Sequence, residues 1–216
     1  MTKTITGLFD NYTDATNAVR DLESIGISHS DISIVAQDRD HMQTRSRSGD
    51  ATGDHIVHGV NAEGDVGRGA STGAAIGGVG GLLAGLGLLA IPGLGPIVAA
   101  GWLVATVAGA GIGAVGGAAT GGIVGALKNA GHSGDEANVY AEGLRRGGTL
   151  VSARVADETV SKAEEVLKRH KSVDAATRGM DYRNSGWERF DEKAAAYKAD
   201  QVAMERSALD EPSRSN

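Results

Sequence analysis

From Gly69 to Leu127 the chain runs 59 residues without one Asp, Glu, Lys, Arg or His, and glycine recurs through this stretch with a period of four. The first row is Gly69, Gly73, Gly77, Gly81 and Gly85. The second is Gly101, Gly109, Gly113, Gly117, Gly121 and Gly125, with Ala105 in the one vacant place. Between them, Ile91-Pro92-Gly93-Leu94-Gly95-Pro96 reads as a hairpin turn made by Pro92, Gly93, Gly95 and Pro96. Small residues four apart in an uncharged stretch are the sequence form of close helix–helix packing in lipid. The expected element is therefore a glycine-zipper helical hairpin over 69–127.

Its arms, 69–91 and 97–127, would be about 35 Å and about 46 Å long as helices, and either exceeds a hydrocarbon core of about 30 Å. The polar side chains inside are hydroxyls, Ser71, Thr72, Thr106 and Thr120, which can bond to their own helix carbonyls. Arg68 and Lys128 flank the stretch and are expected to anchor it at the membrane interface. The larger apolar residues, from Leu82 to Val107, gather around the turn. The hairpin thus either spans the bilayer or inserts only its tip. A period of four drifts by about 40° per step around a helix, too far for one partner to cover, so the rows also predict a homo-oligomer.

On either side the chain looks globular. Residues 3–9 alternate as a half-buried strand does. Asp10 or Asn11 can cap a helix with Ala15, Val19 and Leu22 on one face, Ala18 and Ile25 beside them and Gly26 at its end, and Asp31–Gln37 reads as a second strand. Residues 38–68 are a polar linker. Beyond the uncharged stretch, Ser133 and Glu136 have capping-box spacing for a helix over 135–146. A strand over 149–155, a helix capped by Asp157 and a short strand through Val173, Ala175 and Thr177 follow.

With 38–132 removed, the order β-α-β then α-β-α-β approaches the split pattern of a ferredoxin-like sandwich. The fold class expected is α+β, a ferredoxin-like sandwich in two halves, 1–37 and 133–179, split by the hairpin. Each half is too small to bury a core alone. A charged tail, 180–216, is expected to be partly helical over 186–207, with Trp187, Phe190, Ala194, Tyr197 and Met204 on one face packed against the domain or a partner subunit.

The net charge of −6 and an aromatic content of 4% argue against nucleic-acid binding. The chain has no cysteine, hence no disulfide framework. Gly111-Ile112-Gly113-Ala114-Val115-Gly116 fits a dinucleotide fingerprint, but no strand precedes it. His55 and His58 sit in the linker without a third ligand on a rigid element. Arg145 and Arg146 read as an ordinary positive helix end. No catalytic constellation, cofactor site or metal site emerges.

Thr4–Phe9, the helix ending in Ile25-Gly26-Ile27, and Asp31-Ile32-Ser33-Ile34-Val35-Ala36 together resemble the N-terminal domain of the bacterial general stress protein family, which includes heat-induced and low-temperature-induced proteins. The glycine-rich insertion is similar as well. The resemblance implies a stress-associated, membrane-attached protein without established catalytic residues. The expected function is non-enzymatic self-association in the inner (cytoplasmic) membrane, with lipid and further copies as partners and the α+β domain on the cytoplasmic side. The alternative is a sensory module that binds a small ligand on its sheet.

Overall fold

Strand β1 (Thr2–Phe9) becomes more buried along its length and delivers the chain to Asn11, whose side chain accepts from the Asp14 backbone N–H and caps helix α1 (Tyr12–Ser24). The computed structural model describes residues 2–37, 87–91, 94–103, 106, 122–195, 197 and 199–210. Helix α1 ends at Gly26, which takes a φ of +92° open to glycine at little cost. A single 3₁₀ turn, His29–Asp31, leads into β2 (Ile32–Gln37), which is buried throughout.

Strands β3 (Gly87–Ile91) and β4 (Gly95–Gly101) form an antiparallel hairpin that joins the sheet along β2. Helices α2 (Gly122–Asn129) and α3 (Gly134–Arg145) follow, then β5 (Thr149–Ala156), α4 (Val160–Arg169), α5 (Ala175–Asn184) and α6 (Ala199–Asp210). The sheet order is β1-β5-β2-β4-β3, with every neighbouring pair antiparallel. Because β1 and β2 each pair antiparallel with β5, they run parallel to each other. The chain is thus a mixed α+β fold in which the segments before and after the long insertion share one sheet.

Helices cover both faces of the sheet. On one, α1 and α4 pack Leu22, Val19, Val166 and Leu167 against Phe9, Ile32, Ile34 and Val151. On the other, α2, α3 and α5 pack Ile123, Leu127, Leu144 and Tyr182 against Leu8, Val35, Ile97 and Leu150. The two-residue period of each strand sends alternate side chains to the two cores.

Four expectations change. The helix expected to be capped by Asp157 starts at Val160, after a 3₁₀ turn over Asp157–Thr159, with no side-chain cap. Residues 87–91 and 95–101 are strands, not the inner ends of helical arms. Short apolar runs bounded by Pro and Gly fit a buried strand as well as a helix, and β-branched Ile97 and Val98 favour the strand. Ile91 pairs with Gly95, and Gly95 and Pro96, expected in the turn over 91–96, belong to β4. The strand expected through 173–177 shrinks to one bridge, where the Val173 N–H bonds to the Leu8 carbonyl at 2.7 Å. Asp174 caps α5 at that point, accepting from the Thr177 N–H at 2.8 Å, so the chain turns helical instead. The tail helix starts at Ala199, not near 186, because α5 closes on Gly186 at a φ of +87°. Trp187 and Phe190 are nevertheless buried in the domain's own core, whereas Met204 is exposed.

Candidate functional site

Two polar constellations lie on the face covered by α2, α3 and α5. The first is built at the C-terminal end of α3. Glu142 is fully buried and is held by two arginines three and four residues on. Arg145 donates through Nε at 2.8 Å and Nη2 at 2.6 Å, and Arg146 donates through Nε at 2.7 Å. The Arg146 guanidinium lies 4.1 Å from the centre of the Tyr182 ring, and Arg145 lies 5.0 Å from that of Tyr197. Both arginines stand where the helix dipole favours positive charge. Gln37 donates to the Arg145 carbonyl at 2.8 Å and ties the helix end to β2.

Burial pushes the Tyr182 phenol up to about 12, against the opposing pull of Arg178 and Arg146. Next to this cluster is an open depression of about 440 Å³ lined by Arg145, Arg146, Arg189, Glu188, Ser185, Gly186 and Trp187. Arg145, Arg146 and Arg189, against the carboxylates of Glu142 and Glu188, leave an excess positive charge there, suited to an anionic group.

The second constellation crosses the sheet. Strand register aligns Thr6 with Ser152 and Ser152 with Ser33, a row of hydroxyls on one face. Ser33 Oγ donates to the Ala100 carbonyl at 2.7 Å, and Thr6 Oγ1 is 2.9 Å from Ser152 Oγ. The outer end of the row meets His132, whose Nε2 is 2.7 Å from Thr6 Oγ1. The His132 ring stands edge-on to Tyr140 at 5.5 Å, and Tyr140 donates its hydroxyl to the Thr6 carbonyl at 3.2 Å. Burial holds the imidazole below its ordinary pKa, although Glu136 nearby pulls the other way.

Of the residues singled out from the sequence, Gly101 ends β4 with a φ of +92°. A Cβ there would fall on the Ile32 carbonyl, so this glycine serves strand packing rather than a helix row. Gly95 and Pro96 lie in β4, Gly125 lies in α2, and Lys128 is exposed near the end of that helix. Gly69, Gly73, Gly77, Gly81, Gly85, Ala105, Gly109, Gly113, Gly117, Gly121, Pro92, Gly93 and Arg68 lie outside the described residues, as do His55, His58 and the 111–116 fingerprint. Asp10, a candidate cap, instead accepts both terminal nitrogens of Arg178 at 2.7 and 2.8 Å. Arg145 and Arg146 do occupy a helix end, as expected. Their buried partner Glu142 was missed, although the E-x-x-R-R spacing puts all three on adjacent turns.

Among the described residues no helix is long and apolar enough to cross a membrane, and no group of three His, Asp or Glu side chains is placed to hold a metal ion. No family model matches the chain, and comparison with curated proteins and with solved structures finds no match either.

Proposed function

We propose that this chain is a non-enzymatic stress protein that attaches to the bacterial inner membrane and self-associates through its uncharged 69–127 stretch, with a ferredoxin-like domain on the cytoplasmic side. The observation that carries this reading is the stretch itself, 59 residues without a charge and with glycine every fourth position. The parallel placement of β1 and β2 on either side of β5, with α1 and α4 on one face, is consistent with the ferredoxin-like part. Part of the stretch is built into the domain, since Ile97, Leu103, Ile123 and Leu127 are core residues. Glycine-row contacts would then be made from 69–86 and 104–121.

The test is alkaline extraction of bacterial membranes carrying the full chain, followed by crosslinking. The expected result is protein in the pellet that crosslinks to further copies. Full release of a monomer overturns the reading. A deletion confined to 66–86 spares β3, β4 and α2 and should weaken attachment.

A second reading, a ligand-sensing module, is favoured by the arginine-lined depression beside α3. A rise in melting temperature with small anionic metabolites, absent in Arg189→Ala, would support it.

A further inference from the structure

His132 sits at the joint between α2 and α3. Its backbone N–H bonds to the Leu127 carbonyl at 3.1 Å and closes α2, while Ser133 beside it opens α3 through a capping box. Its ring is the polar contact from this joint to the sheet, through Thr6 Oγ1 at 2.7 Å. We propose that His132 is a proton-operated latch: the neutral imidazole docks the α2–α3 joint on β1, and the protonated ring releases it.

The argument rests on what surrounds the ring. From β1 it meets the Thr6 hydroxyl, already shared with Ser152 on β5. From α3 it meets the Tyr140 ring edge-on. The carboxylate within electrostatic reach is Glu136, whose Oε2 is occupied by the Ser133 N–H at 3.0 Å and hydroxyl at 2.9 Å. Asp174, ahead of α5, acts on Glu136 and Tyr140 and is engaged by Thr177. Lys128 on α2 is exposed, and Arg154, two pairs along β5 from Ser152, is held by Asp31 at 3.0 Å. Among the described residues no carboxylate bonds to this half-buried ring, so a proton on it is stabilised less in the docked joint than in water, and protonation favours undocking.

The sign follows from the depressed pKa of the folded state. Unfolded or undocked chain binds the proton more readily, so docking is complete above the ordinary histidine value and is lost as pH falls below it. Helix α2 contains the C-terminal end of the uncharged stretch. Its release would therefore loosen the root of that stretch, and the latch itself requires only the described fold.

The experiment is amide hydrogen exchange on the full chain at about pH 7.5 and about pH 5, corrected for intrinsic rates, with α4 as internal reference. Opening of residues 123–132 relative to α4 should rise by about tenfold on acidification, and by less than about twofold in His132→Gln. An unchanged ratio in the native chain, or the same rise in His132→Gln, overturns the latch. If His132→Gln does not fold, the ring is followed directly by NMR. A His132 that titrates at the ordinary value, with α2 amide shifts unmoved, also overturns it.

Discussion

The two faces of the sheet bury comparable apolar layers but treat polar groups differently. Under α1 and α4 the core is Ala, Val, Leu, Ile and Phe, and the histidines at its rim face carboxylates, His170 with Asp21 at 2.8 Å and His29 with Glu23 at 3.0 Å. Under α2, α3 and α5 the packing includes a fully buried Glu142, an Arg178 clasped by Asp10, and a His132 that meets hydroxyls. One layer keeps its charged pairs at the rim of an apolar core. The other is also held by charges that must stay paired, and its stability is therefore more sensitive to protons and to single polar substitutions.

The largest test of this contrast is Glu142→Gln. It leaves Arg145 and Arg146 facing an uncharged partner and should cost about 3–5 kcal/mol in denaturant unfolding. A loss below about 1 kcal/mol would mean that the tyrosines and water already carry the arginines. Next, Leu127→Ala and Leu22→Ala remove fully buried side chains from opposite faces, and each should cost about 2–5 kcal/mol. If Leu127→Ala is nearly silent, α2 is not a true core helix and the symmetry between the layers fails.

Ser133→Ala breaks the capping box of α3 and should cost about 1 kcal/mol, read as a shift in melting temperature. The smallest effect is an acid limb. The Ser133 backbone N–H and hydroxyl hold the Glu136 carboxyl below its ordinary value, and those of Thr177 do the same for Asp174. Both contributions are complete above the ordinary carboxylate range and are lost as pH falls through it. Urea midpoints measured from neutral to acid pH should drop less steeply in the Glu136→Gln, Asp174→Asn double variant.

The face under α1 and α4 was legible in the sequence because its signals are local. The alternation in 3–9, the Asn11 cap, the Ala15-Ala18-Val19-Leu22 face and Gly26 all act within one element. The opposite face was only half legible. The Ser133–Glu136 box announced α3. Strands β3 and β4, however, come from apolar runs whose composition fits helix and strand alike, and pairing with β2 decides between them. Val173, Ala175 and Thr177 alternate like a strand, but Asp174 places a cap in their midst. The candidate site was the least legible part. Glu142 and its arginines share a helix, whereas Thr6 and Ser152 meet through strand register and His132 reaches them from the α2–α3 joint, across more than half the chain.

That register also sets an order of events during synthesis. Strands β1 and β2 find their common neighbour only when β5, ending at Ala156, has been made. At about 5–20 residues per second, the first strand waits on the order of ten seconds on the ribosome for its partner. In that interval the whole uncharged stretch has already been translated. The nascent chain therefore offers its least polar segment to its surroundings before its sheet can close, and a bilayer or chaperone at the exit tunnel meets that segment while β1 and β2 still lack their common neighbour.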